Sequence, residues 1–352
     1  MTITHEDLRA AVARGILTDA QSAQLIAMAD GRRVAKDGVA AVEEPFVLFK
    51  GFNEIFVVVG LTILFSGWVG VAVLMGLDMK APTGVATIVL SVLTLLGLVA
   101  VGRYFTLRRR MIAPSIALSI MTALTAIVLG FAVVGKLSDT YSITVAALVV
   151  AAVMYAHYRM FRVPFSAALI AAALFAALWT GLSAMGVLGN YGMGIFGQSV
   201  DVGFSVMTIL FGLATFALAM RLDLSDPMRV STRSATAFWL HVVAAPAIVN
   251  TVAMNLLRTG GPVSQGLLLA FLLIIAAVAI VIDRRSFLVS GAGYSVILAT
   301  TLFSGAAPFA ILILGLILVL LGALWERLRA ALMHALPDFP GKSHLPPYGT
   351  PA

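Results

Sequence analysis

Residues 234–258, SATAFWLHVVAAPAIVNTVAMNLLR, read as one helix long enough to cross a bilayer, which takes ~20 largely apolar residues. Within it stand His241, Pro246, Asn250 and Asn255, whereas the neighbouring apolar runs are almost free of ionisable groups. An imidazole and two amides are costly in hydrocarbon, so each needs a reason to be there. At 1.5 Å per residue, counted from Ala235, His241 lies roughly 9 Å along the helix and Asn250 roughly 22 Å. The two project to opposite faces, while Asn255 returns near the His241 side and Pro246 can shift that phase. One reading makes these groups the polar lining of a substrate path. The other makes them interhelical contacts that hold a bundle together. With one histidine and no carboxylate partner in view, the second is favoured. Tyr294, in a later apolar run, is a further candidate for the same polar face.

Composition extends this reading to the whole chain. Hydrophobic residues make up 61% and charged residues 11%, with a mean hydropathy of +1.04, too little polar surface to coat a water-soluble globule. The expected fold is all-α, a polytopic transmembrane bundle of about ten spans with a small N-terminal helical hairpin. The spans are expected at 55–77, 82–102, 112–135, 140–156, 163–189, 199–220, 235–257, 265–282, 287–303 and 306–324. The fourth and ninth are short, and the fifth is long enough to tilt or break.

Charge tests the set. With the N-terminus in the cytosol, twenty Lys and Arg fall on the inside and only Lys80, Lys136 and Arg258 outside. Both termini are therefore expected to be cytosolic. The formal net charge of +7 is spread through short basic turns, which suits an anionic leaflet and not nucleic acid. Three of those turns look alike: FTLRRRMIAPSIAL, AHYRMFRVPFSAAL and VIDRRSFLVSGAGY. They hint at repeated hairpins, although any short-looped protein with arginines on one side would share the look.

The chain divides into a head and linker at 1–50, the spans at 51–324, and an amphipathic helix with a Pro-rich tail at 325–352. In the head, Thr4 with Asp7 and Thr18 with Gln21 have the spacing of helix-start caps. Phe46, Phe49, Phe52 and Phe56 recur around Lys50 as an interfacial turn before the first span. In the tail helix Leu328, Leu332 and Leu336 form one side, and PGKSHLPPYGTPA is expected to be extended or disordered. Ala168, Ala172 and Ala176, like Gly60, Gly67 and Gly70, suggest close-packing faces, and Trp239, Trp325, Tyr104 and Tyr158 suggest interfacial anchors.

No motif adds chemistry. Gly192-Met-Gly-Ile-Phe-Gly197 matches a dinucleotide fingerprint but lies between two spans and not after a strand. The five histidines lack metal-ligand spacing, there is no cysteine, and no nucleophile elbow occurs. No cofactor and no enzymatic activity are expected. Every Asp and Glu of the spans sits at a span end, Asp223 and Asp283 among them, with Asp201 at an outer mouth, so coupling through a buried carboxylate is not expected.

GFNEIFVVVGLTIL at 51–64, FWLHVVAAPAIVN at 238–250 and DRRSFLVSGAGY at 283–294 resemble segments of an uncharacterised family of bacterial multi-spanning inner-membrane proteins, a domain of unknown function with a short cytosolic helical head. The resemblance implies bacterial inner-membrane placement and carries no activity, substrate or catalytic residue. Two function classes stand. The first is transport or flipping of a small or amphiphilic molecule without a buried carboxylate. The second is a membrane scaffold or sensor whose partners are the lipid bilayer and a cytosolic protein met through residues 1–45.

Overall fold

A computed structural model describes residues 52–76, 84–134, 139–188 and 202–346 except 228, 230 and 304, together with residue 348 and six residues of the head, 11, 12, 14, 16, 18 and 21. The Thr4–Asp7 pair, the linker at 32–45, Phe46, Phe49 and Lys50, the glycine-bearing loop 192–197 and Asp201 lie outside the described residues. The chain separates into two compact units, Met1–Phe46 and Val47–Ala352. In the first, Thr18 and Gln21 cap one another. The Thr18 amide donates to Gln21 Oε1 at 3.0 Å and the Gln21 amide donates to Thr18 Oγ1 at 3.2 Å, the reciprocal box that the sequence predicts.

Every regular element described in the second unit is helical, and a helix occupies each of the ten predicted spans. In order they are α1 (Phe52–Leu74), α2 (Val85–Gly102), α3 (Ile112–Val134), α4 (Asp139–Phe161), α5 (Phe165–Ala184), α6 (Val202–Leu224), α7 (Thr232–Thr259), α8 (Gly261–Ile282), α9 (Ser286–Leu302) and α10 (Ala307–Ala323). α11 (Trp325–Ala335) follows at a bend of 79°. Eight of these helices are long and apolar enough to cross a membrane, or nine if α10 and α11 count as one bent span. At 17 residues each, α9 and α10 fall short on their own. The protein is a multi-pass, all-α membrane bundle.

The boundaries differ from expectation for physical reasons. α4 is not short. It runs five residues past Ala156 because His157 finds a polar partner and Arg159 leans back on Tyr155 OH at 3.4 Å. α5 does not break; the surplus apolar residues after Ala184 form a turn closed at Gly186, whose φ of 72° suits a residue without Cβ. At the arginine-bearing end, Arg110, Arg162, Arg229 and Asp283 all adopt left-handed backbone with φ between 51° and 58°. The likeness of the turns therefore reaches their backbone geometry.

Most consecutive helices pack as hairpins, though α1 and α2 do not, and two helices act as hubs. α3 touches α1, α2, α4 and α5, and α7 touches α5, α6, α8 and α9. Lipid tails are as apolar as leucine, so close packing and polar bonds between helices must hold such a bundle. The close approaches are not where the glycine pattern put them. A Cβ on Gly60, Gly67 or Gly70 would meet nothing within 4 Å, whereas one on Gly130 would lie 2.7 Å from Ala146 Cα, and one on Gly212 2.8 Å from Ile248 Cγ1. On α5 the buried alanines are 167, 168, 171, 173 and 177, while Ala172 is exposed. Outward faces carry bare aliphatics such as Leu64, Leu273 and Leu312, as lipid contact requires.

Candidate functional site

His241 and Ser234 of α7 converge with Asp223 of α6 and Arg284 of the turn between α8 and α9. His241 is fully buried, and its Nε2–H donates to Asp223 Oδ2 at 2.9 Å. Asp223 ends α6 and is 4% exposed. Arg284, fully buried in the turn between α8 and α9, donates from Nε to the same oxygen at 3.0 Å and from Nη2 to Asp223 Oδ1. Nη2 also reaches the Ser234 carbonyl and hydroxyl at 3.3 Å. One carboxylate thus accepts from an imidazole and a forked guanidinium, the planar pairing that arginine favours. The expectation that His241 lacks a carboxylate partner, and that no carboxylate is buried, is corrected here. Asp223 is at a span end, yet the turns that follow α6 and α8 fold over it.

A second pair seals the first. Arg229 donates to Asp283 Oδ2 and to the Asp283 carbonyl, both at 2.8 Å, and the Trp325 indole N–H donates to Asp283 Oδ1 at 2.7 Å. Burial pushes the Arg229 guanidinium below its ordinary pKa, the Arg284 charge adds to this, and Asp283 and Asp223 oppose it. The Arg285 guanidinium stacks 5.1 Å over the Trp325 ring. Trp325 is therefore no interfacial anchor: it is 3% exposed and joins α11 to the cluster. The packed face of α11 is Trp325, Arg329, Ala330 and Met333, and Leu328 is exposed, so the leucine stripe read from the sequence is not the docking side. The tail beyond it folds back onto α11, with Tyr348 against His334. Arg329 Nη2 donates to the Pro346 carbonyl at 2.6 Å, and Leu345 is buried after a short 3-10 turn, Lys342–His344.

Apolar groups close the remaining sides. Phe216 of α6 and Phe287 of α9 set their rings 5.5 and 5.9 Å from the imidazole. Ala245, Ile248 and Val249 of α7 cluster with Ile275, Ala279 and Ile282 of α8 and with Trp325. Among the described residues His241 Nδ1, Arg284 Nη1, Arg229 Nε and Ser286 Oγ are buried without a hydrogen-bond partner. A relay of the kind used for acyl transfer would place a nucleophilic hydroxyl on the free imidazole nitrogen, and no described residue does so. Nor, among the described residues, do three or more His, Asp or Glu converge as a metal would need.

The other expected positions fall elsewhere. Asn255 Nδ2 donates to Ser205 Oγ of α6 at 3.2 Å and to the Thr251 carbonyl at 2.7 Å, so His241 and Asn255 both bind α7 to α6. Asn250 is half-buried. Tyr294 packs among apolar residues of α7 and α8 and is not brought to His241. Two polar seams were missed. His157 Nδ1 meets Ser166 Oγ at 3.0 Å, linking α4 to α5. Buried Glu54 of α1 accepts the Ala113 amide at 3.1 Å, where a carboxylate satisfies a free N–H of the first turn of α3.

Comparison with protein-family models, curated proteins and solved structures found no match, so geometry alone carries the reading of this site.

Proposed function

We propose that this chain is a bacterial inner-membrane protein with both termini in the cytosol, acting as a membrane-embedded scaffold or sensor. The observation that carries this reading is the Trp325–Asp283 hydrogen bond beside the Arg284–Asp223–His241 cluster. It joins the C-terminal helix to the ends of α6, α7 and α8, so a change in how those helices pack is felt at the tail. Cytosolic placement follows from the arginines of the turns, and bacterial placement from the motifs that resemble an inner-membrane family. The separate N-terminal unit supplies a second surface for a cytosolic protein partner.

Transport or flipping of an amphiphile, the other reading, needs a polar path meeting His241 or Asn250. Asp223, Arg284 and two phenylalanine rings occupy the surroundings of His241 instead. A non-enzymatic role fits the same arrangement, since its groups neutralise one another.

Proximity labelling in cells, with a biotin ligase on the N-terminus, tests the scaffold reading. Deleting residues 1–45 is expected to remove a discrete set of cytosolic neighbours while the bundle still resists carbonate extraction. An identical set of neighbours from the shortened chain would contradict it.

A further inference from the structure

Away from the residues of the ion cluster, α1, α2 and α3 line a cleft of about 290 Å³. That volume is near the lower edge of the ~300–1,000 Å³ usual for small-molecule sites. Its walls include Phe65, Trp68, Ala72 and Val128, and among the described residues no charged side chain lines it. Leu124, also in the wall, is half exposed on the lipid-facing surface, so the cleft opens sideways into hydrocarbon.

Three of the four polar side chains in the wall are already engaged. The Trp68 indole N–H donates to Thr94 Oγ1 at 2.7 Å, and Thr94 donates onward to the Leu90 carbonyl at 2.7 Å. Thr125 donates to the Met121 carbonyl at 2.8 Å. Ser91 is the exception. It is 3% exposed, and among the described residues its hydroxyl has no hydrogen-bond partner. Thr94, Thr125 and Thr208 bond back one turn, whereas Ser91, like Ser183 of α5 and Ser286 of α9, does not. Ser91 stands six residues into α2, roughly 9 Å from its end, a depth where water is scarce.

We propose that this cleft binds a neutral lipophile, a hydrocarbon body carrying one oxygen that hydrogen-bonds to Ser91. An anionic headgroup is unsuited because, among the described residues, no cation lines the walls. Entry is lateral, from the bilayer. This site is independent of the scaffold reading and stands or falls without it.

The test uses the full chain in lipid nanodiscs and a diazirine-bearing hexadecanol as the probe, with adducts mapped by peptide mass spectrometry. Adducts are expected on 65–72, 90–94 and 124–128. Unlabelled oleyl alcohol should suppress them at about three- to tenfold lower concentration than hexadecane, the worth of one hydrogen bond. Ser91→Ala should abolish that difference, and Val128→Phe should remove the adducts. Adducts spread evenly over outward residues such as Leu273 and Leu312 would overturn the proposal, as would equal competition by the alcohol and the alkane in the unaltered protein. Ser91→Ala changes no packing volume upward, so the comparison holds even where Val128→Phe fails to fold.

Discussion

Asp223→Ala is expected to destabilise the bundle by about 3–5 kcal/mol, because it leaves Arg284 buried without its counter-charge and His241 without its acceptor. A single hydrogen bond between membrane helices is worth only ~0.6 kcal/mol on average, so a loss of this size distinguishes a buried ion cluster from ordinary polar glue. Reversible unfolding by SDS titration in mixed micelles measures it. Removing both charges together, as Asp223→Leu with Arg284→Met, should recover most of the loss, since neither change then strands a charge. Asp338→Ala provides the contrast. Its partner Lys342 lies 3.4 Å away, but the Asp338 side chain is fully exposed, and no measurable change is expected. Equal losses for the single and double changes would show that the cluster is not an energetic unit.

Gly130→Val is the second large effect. The added Cβ would lie 2.7 Å from Ala146 Cα and 2.9 Å from the Ala146 carbonyl oxygen. Both are backbone atoms, so no side-chain rotation relieves the clash and α3 must move away from α4. Ala126 and Val150, packed in the same seam, would lose contact as well. A loss of about 1–3 kcal/mol is expected, the usual cost of overfilling a packed site. Gly67→Val, with nothing within 4 Å of the new carbon, should be tolerated and thus controls for any general effect of β-branching in a membrane helix. The same SDS titration separates them; equal midpoints for the two variants would contradict the packing seen between α3 and α4.

These two sites differ in how far the sequence announces them. The ten helices were legible because each is a run of apolar residues bounded by arginine, glycine or proline, and lipid enforces helical structure on such runs. The Thr18–Gln21 box was legible because its partners are three residues apart. The ion cluster was not. His241 and Asp223 are 18 residues apart, and Arg284 and Asp223 are 61 apart, on three different elements. Asp223 at a span end looked like a solvated group, and only the folding of two turns over it removes it from water. A signal did exist: Asp283-Arg284-Arg285 puts an acid among the arginines of a turn, unlike the FTLRRRMI turn, whose arginines stay exposed. Close packing was equally obscure. Gly67 and Gly130 are indistinguishable by composition, and which face of a uniformly apolar helix meets protein instead of lipid depends on neighbours that local periodicity does not name.

The chain contains no cysteine, so a single introduced thiol reports on one position alone. Ala244 lies one turn beyond His241 on α7 and is fully buried, whereas Ser225 in the turn after α6 is exposed. With a charged methanethiosulfonate reagent applied to the protein in nanodiscs, Ser225→Cys should react at the rate of a free thiol, and Ala244→Cys should stay unmodified until SDS unfolds the bundle. Rapid modification of Ala244→Cys in the folded protein would mean that water reaches the middle of α7, and His241 would then line a path instead of locking helices together.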